Sequence, residues 1–171
     1  IPPHSRVLEL GCGMGDLLAA VNPSYGVGID FSPRIIGIAK ERHPGLTFHV
    51  MDAENLSFEE TFDYIILSDL VGSLWDVQAV LEQLNRVCHE RTRVIISNYN
   101  YLWEPLIQFG ERTGIKQRQP LQNWLSTKDI IAILSLAGFE TIPTEKKILL
   151  PKNTPLFSWL LNKYIVNLPL F

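Results

Sequence analysis

The chemistry legible in this chain is carried by three glycines and four acids. Gly11, Gly13 and Gly15 lie in the run Val7-Leu8-Glu9-Leu10-Gly11-Cys12-Gly13-Met14-Gly15-Asp16, where an apolar strand enters a glycine-dense turn and then a helix. A second apolar strand ends in Gly28-Ile29-Asp30, completing a βαβ unit of the kind that binds nucleosides. The fourth acid, Asp52, closes a third short strand. Turns of this type usually hold a phosphate, because free backbone N–H groups and the helix dipole both favour negative charge. Here Glu9 and Asp16 bracket the turn, and Asp16 stands where the dinucleotide fingerprint G-x-G-x-x-G needs its third glycine. A pyrophosphate would meet that carboxylate. An adenosine-bearing ligand with a cationic, phosphate-free tail has the opposite preference.

With those residues in place, Glu9-Leu10-Gly11-Cys12-Gly13-Met14-Gly15 resembles the first motif of the class I S-adenosylmethionine-dependent methyltransferases. The resemblance implies S-adenosylmethionine as cofactor, held around the turn by Glu9, Gly11, Cys12, Gly13, Gly15 and Asp16. It places Asp30 at the ribose hydroxyls, Phe31 against the adenine, and Asp52 with Ala53 at the adenine amino group. Phe62-Asp63-Tyr64-Ile65-Ile66-Leu67-Ser68 resembles the fourth strand, after which the family lines its transfer site, and so adds Ser68. Methyl transfer from a sulfonium is an in-line displacement on an electrophile that arrives activated, so the protein mainly positions two reactants and excludes water. The catalytic residue therefore stays open. Asp69, Trp75, Tyr99, Tyr101 and Trp103 are the candidates for the acceptor side, and Asp69, Tyr99, Tyr101 or Glu104 could serve as base toward a hydroxyl.

The elements that must position these residues follow from periodicity and punctuation. Strands are expected at Arg6–Leu10, Tyr25–Ile29, Leu46–Val50, Phe62–Ser68 and Arg93–Ser97. Helices are expected at Asp16–Val21, stopped by Asn22-Pro23, and behind the Ser32-Pro33 cap as far as His43-Pro44-Gly45. Asp76–Cys88 carries apolar residues at 77, 80, 81, 84, 87 and 88, a helical stripe. Further on, Trp103–Gly110 reads as helix, Lys116–Trp124 as a polar loop, and Ser126-Thr127-Lys128-Asp129 as a capping box with Asp in place of Glu, its helix closing at Gly138. Phe139–Leu150 reads as a strand region and Ser158–Tyr164 as helix. The alternation predicts an α/β fold, a Rossmann-like parallel sheet in a three-layer αβα sandwich with ligands at the carboxyl ends of its strands. The last antiparallel strand that the resemblance implies is missing from the pattern and is expected beyond residue 171.

At 171 residues and 46% hydrophobic content, one domain spanning 1–171 is expected. Ile1-Pro2-Pro3 opens the chain without an initiator Met, which points to a domain excised from a longer polypeptide. A formal charge of −3 without a basic run disfavours nucleic acid as partner, as does the absence of Asn-Pro-Pro-aromatic after strand four. Cys12 and Cys88 make no disulfide framework, which fits a cytoplasmic protein, and the four histidines show no metal-ligand spacing. No segment is apolar for long enough to span a membrane, while the Leu- and Phe-rich tail leaves peripheral membrane contact open. A weaker resemblance, through Asn98, Trp103-Glu104-Pro105, Asn123-Trp124-Leu125-Ser126 and Gly138-Phe139-Glu140, is to methyltransferase domains fused behind bacterial glycosyltransferases. It implies a fused glycosyltransferase domain as partner and a saccharide or lipid-linked acceptor beside the small-molecule one, with oxygen the favoured atom. The rival readings are a nicotinamide-dependent oxidoreductase and a non-catalytic cofactor-binding scaffold. Oligomeric state is not legible.

Overall fold

The computed structural model describes residues 1–98, 104, 109, 111–114 and 123–142. Its strands are β1 (Arg6–Leu10), β2 (Tyr25–Asp30), β3 (Thr47–Val50), β4 (Phe62–Ser68) and β5 (Cys88–Ser97). The helices whose bounds fall among the described residues are α1 (Asp16–Val21), α2 (Pro33–Arg42), α3 (Val77–Leu84) and α4 (Thr127–Leu136), with short 3-10 turns at Val71–Ser73 and Asn85–Val87. All strand pairs are parallel and the sheet order is β3-β2-β1-β4-β5. The order reverses at β1, so the crevice where connections diverge opens above the carboxyl ends of β1 and its neighbours.

Alternation along each strand sorts side chains into two cores. Leu8, Leu10, Val27, Ile29, Ile65 and Leu67 point to one face, where Val77, Val80, Leu81 and Leu84 of α3 cover them. Val7 and Ile66 point to the other, under Leu18 of α1, Ile36 and Ala39 of α2, and Phe48. Each large side chain buried in these cores contributes roughly 1.5–3 kcal/mol. On the second face β2 has Gly26 and Gly28. A Cβ at Gly28 would lie 2.7 Å from Phe48 Cδ1 and 2.8 Å from Cys12 Sγ, so glycine lets the layers approach.

Local signals account for the helix ends. Ser32 accepts from the Ile35 N–H at 3.4 Å with Pro33 at the first helical position, and Asn22 closes α1 in the left-handed region at φ 53°. Ser126 and Asp129 cap each other's backbone in a true capping box, at 3.3 and 2.8 Å.

Two expectations are corrected. Cys88 is not helical: α3 ends at Leu84, a 3-10 turn follows, and Cys88 opens β5 opposite Phe62. Val87 and Cys88 prolong the apolar stripe only because Val87 seals the α3 core before the chain turns into the sheet. Phe139–Ile142, expected to begin a strand, has no regular structure. Residues 143–150 and the tail beyond lie outside the described residues, as do most of 103–110 and 116–122, although Glu104 and Phe109 are helical.

Candidate ligand site at the carboxyl ends of the strands

The glycine turn is cross-linked to the end of β2. Cys12 N–H donates to the Ile29 carbonyl at 2.8 Å and Gly15 N–H to the Cys12 carbonyl at 2.9 Å. Asp30 is fixed at both oxygens: Gly13 N–H donates to Oδ2 at 3.2 Å and Ser32 N–H to Oδ1 at 2.9 Å. Its carboxylate therefore stands against the turn rather than out in solvent.

The three turn glycines all have positive φ, at 68°, 52° and 79°, but for different surroundings. A Cβ at Gly11 would meet Leu70 Cδ1 at 2.9 Å, and one at Gly15 would meet Phe48 Cζ at 2.5 Å. At Gly13 nothing lies within 4 Å. Gly11 and Gly15 are small because protein packs on them, whereas Gly13 leaves a cradle that a ligand can fill.

The two acids that bracket the turn prove unlike. Glu9, in the middle of β1 opposite Gly28 and Ile66, is 2% exposed and its Oε2 has no hydrogen-bond partner among the described residues. Burial pushes its pKa up to about 7, partly opposed by the Leu18 backbone N–H. Cys12 is pushed further, up to about 12, by burial and then by the nearby Glu9 and Asp30 carboxylates, so it is a neutral thiol. Asp16 is exposed, and its oxygens engage α2: Oδ1 with His43 Nε2 at 3.0 Å, Oδ2 with the Arg42 guanidinium at 3.3 Å. The His43 hydrogen bond, with Arg42 adding, holds its carboxyl below the ordinary range.

Phe31 follows Asp30 with its ring 79% exposed, the position of a side chain awaiting a flat ligand. Asp52 is exposed and takes the Glu54 N–H on Oδ1 at 3.0 Å, forming an Asx turn at the end of β3. The Ala53 side chain belongs to the core, so only its backbone can serve a ligand. Glu9, Asp30 and the turn thus gather at one point, with Phe31 and Asp52 on the β2–β3 side.

Ser68 and Asp69 end β4 on the opposite side. The Ser68 and Ser97 hydroxyls lie 3.2 Å apart, and Asp69 N–H donates to the Ser97 carbonyl at 3.0 Å. Asp69 has φ 53° and a pKa raised by partial desolvation. Trp75 is exposed, and its backbone N–H donates to Glu54 in the β3–β4 loop. Tyr99, Tyr101 and Trp103 lie outside the described residues. Sequence reasoning missed Leu70, which seats Gly11, and Glu54; the Asp-x-Glu-Asn spacing after β3 was the available sign of the latter's turn.

An unpartnered oxygen on a buried carboxylate, an open cradle at Gly13 and an exposed aromatic residue suit a nucleoside with a cationic tail. Comparisons with known proteins agree. Residues 7–91 match the family described as a methyltransferase domain. A phosphatidylethanolamine N-methyltransferase of Cereibacter sphaeroides is 34% identical over 102 residues, 55% of this chain and 50% of the relative. A ubiquinone/menaquinone biosynthesis C-methyltransferase of Desulfotalea psychrophila is 30% identical over 149 residues, 80% of this chain and 58% of the relative. The chain thus spans about half the length of these curated relatives. The crystal structure of an S-adenosylmethionine-dependent methyltransferase from Mesorhizobium loti superposes with a TM-score of 0.72 at 16% identity, covering 85% of this chain and 80% of that one. Residues 7–91 thus belong to the methyltransferase-domain family, the chain folds as the class I S-adenosylmethionine-dependent methyltransferases do, and S-adenosylmethionine is the cofactor that this family implies.

Proposed function

We propose that the protein transfers a methyl group to an oxygen of a lipid-linked, saccharide or other small-molecule acceptor. The observation that carries the donor half is Asp30, clamped by Gly13 and Ser32 N–H groups beside the open cradle at Gly13. When bound, S-adenosylmethionine supplies a methyl group already activated on a cationic sulfur. The chain's task is then to bind, orient and exclude water. Asp30 accepts from the ribose hydroxyls, Phe31 covers the adenine, and Asp52 accepts from its amino group with the oxygen that Glu54 N–H leaves uncommitted. Above about pH 7 Glu9 would contribute negative potential beneath the turn, where a cationic tail would be held. Asp16 adds to that potential from outside, shared with Arg42 and His43.

On the acceptor side, Asp69 supports the oxygen reading. A carboxylate raised above its ordinary range is a better base toward a hydroxyl, and it stands at the end of β4 beside Ser68. The relatives' names, phosphatidylethanolamine and ubiquinone/menaquinone, favour an acceptor with a lipid-like part, while a fused glycosyltransferase would supply a saccharide. Tyr99, Tyr101 and Trp103 are proposed to line the acceptor's path.

The test is methyl transfer from labelled S-adenosylmethionine to a panel of quinols, lipid-linked saccharides and free sugars, with the product's linkage read by mass spectrometry. A methyl ether or ester is expected, and Asp69→Asn should lower kcat by about 100-fold, the lower size for a lost general base, without changing S-adenosylhomocysteine affinity. Methylation on nitrogen or carbon, or full turnover by Asp69→Asn, would overturn the oxygen assignment.

A further inference from the structure

Glu54 is not among the residues assigned to the site, yet each of its polar parts is used. Its backbone N–H donates to Asp52 Oδ1 at 3.0 Å and fixes that carboxylate in an Asx turn. Its carbonyl accepts from Gln83 Nε2 on α3 at 2.7 Å, and Gln83 Oε1 in return accepts from Leu56 N–H at 3.2 Å. Its carboxylate Oε1 accepts from the Trp75 N–H at 2.5 Å and the Asp76 N–H at 3.3 Å. Asp76 in turn caps α3 through the Ala79 N–H at 2.9 Å. One side chain therefore joins the loop after β3, which carries Asp52, to the loop after β4, which carries Trp75.

The joint is specific in its geometry. Two adjacent backbone donors converge on one carboxylate oxygen, a charge-assisted contact that also suits the dipole at the start of α3. The reach needs the full length of a glutamate; an aspartate, one methylene shorter, keeps the charge and loses both contacts. Trp75 is 81% exposed and its backbone N–H donates to Glu54, while the preceding Gly72 and Leu74 carbonyls accept from Asn123, so Glu54 fixes the loop on its β3 side and Asn123 on the other.

We infer that Glu54 is a positioning residue that sets nucleobase specificity, holding Asp52 in register and bringing Trp75 to the nucleoside side of the site. Trp75 then belongs with Phe31 and Asp52 rather than with the acceptor-lining aromatics. This rests on the cofactor placement proposed above. Asp52 can accept from the 6-amino group of adenine, whereas the 6-carbonyl of hypoxanthine would face it with a second acceptor. Loosening Asp52 should therefore cost the adenine ligand more than the hypoxanthine one.

The experiment is calorimetric titration of S-adenosylhomocysteine and S-inosylhomocysteine into wild type, Glu54→Asp and Glu54→Gln, with thermal melts to confirm folding. Wild type should prefer the adenosyl ligand by about tenfold or more, the size of one well-placed hydrogen bond to a charged group. Glu54→Asp should bring that ratio close to one, chiefly by weakening the adenosyl ligand. Glu54→Gln, which presents an oxygen at the same reach, should keep the ratio within about threefold of wild type. A merely structural role would weaken both ligands equally in Glu54→Asp and leave the ratio unchanged, which overturns the inference. Collapse of the ratio in Glu54→Gln overturns it too, because charge rather than reach would then matter. Binding of the adenosyl ligand by wild type with an unmoved ratio contradicts this inference alone; binding of neither ligand contradicts the cofactor placement as well.

Discussion

The ligand-facing edge of the sheet is built in two different ways. Around β1 and β2, the turn is joined to the end of β2 by Cys12 N–H to the Ile29 carbonyl at 2.8 Å and by Gly13 N–H to the Asp30 carboxylate at 3.2 Å, over a dry layer that includes Glu9, Cys12 and Phe48. At the ends of β4 and β5, past the last rung of their parallel ladder at Ser68 and Ser97, the site offers two serine hydroxyls, one backbone bond to Asp69, and a strand whose outward residues are solvent-facing. The first half has its geometry written into the main chain, which suits one fixed ligand. The second offers side chains on a loose frame, which suits whatever acceptor those side chains choose. If the first half holds the donor and the second the acceptor, as proposed, substitutions should separate the two functions.

The largest effect should come from removing the buried charge of the donor half. Burial raises Glu9 to about 7 in the folded chain against 4.5 for an ordinary glutamate, so between these values the folded state holds a proton that the unfolded state has lost. The stability this brings is complete below about 4.5 and is lost as pH rises through about 7. Glu9→Gln should flatten that slope and, at pH 8, stabilise the ligand-free protein by on the order of 3 kcal/mol, while weakening S-adenosylhomocysteine. Urea titrations from pH 4 to 8 measure both curves; parallel curves would show that Glu9 is solvated and the donor half is not dry.

Next come the glycines, which distinguish packing from ligand approach within that half. Gly28→Ala should cost about 2 kcal/mol of stability, because its methyl group meets both Phe48 and Cys12. Gly13→Ala meets no neighbour and should cost only the roughly 1 kcal/mol of a left-handed residue, yet reduce S-adenosylhomocysteine affinity by more than its stability loss accounts for. Equal stability losses with unchanged ligand binding in Gly13→Ala would erase the distinction between the glycines.

The smallest effect is expected at Asp16. Its pairs with Arg42 and His43 are exposed and screened by salt, so Asp16→Asn should leave the melting temperature near wild type and weaken S-adenosylhomocysteine less than any change at Asp30. A loss matching that of Asp30→Ala would move the principal ligand contact to the outside of the turn.

The β1–α1–β2 unit and its turn were legible in sequence because their signals are local. Gly11, Gly13, Asp16 and Asp30 lie within 20 residues, the bounds of β1, α1 and β4 follow from apolar runs and turn residues, and Ser32-Pro33 and Ser126–Asp129 announce their own caps. What sequence could not separate was Glu9 from Asp16. Both read as acids beside a turn, and only strand alternation plus Gly28 opposite reveals that one is buried and the other paired outside. The tie from Trp75 to Glu54 was illegible for the same reason: position after β4 gives its loop, but the contact spans 21 residues and depends on how α3 docks. Cys88 read as helix because hydrophobic period continues through a 3-10 turn that the pattern cannot register.

Asp30, clamped against the glycine turn, is proposed to read the ribose of a phosphate-free adenosine cofactor. Isothermal titration of S-adenosylhomocysteine and NADH against wild type and Asp30→Ala tests it most directly. Micromolar binding of S-adenosylhomocysteine by wild type, a loss of about 100-fold or more in Asp30→Ala, as expected for two hydrogen bonds to a charged group, and no NADH binding are the predicted results. Undiminished S-adenosylhomocysteine binding in Asp30→Ala, or tight binding of NADH in its place, would contradict the account.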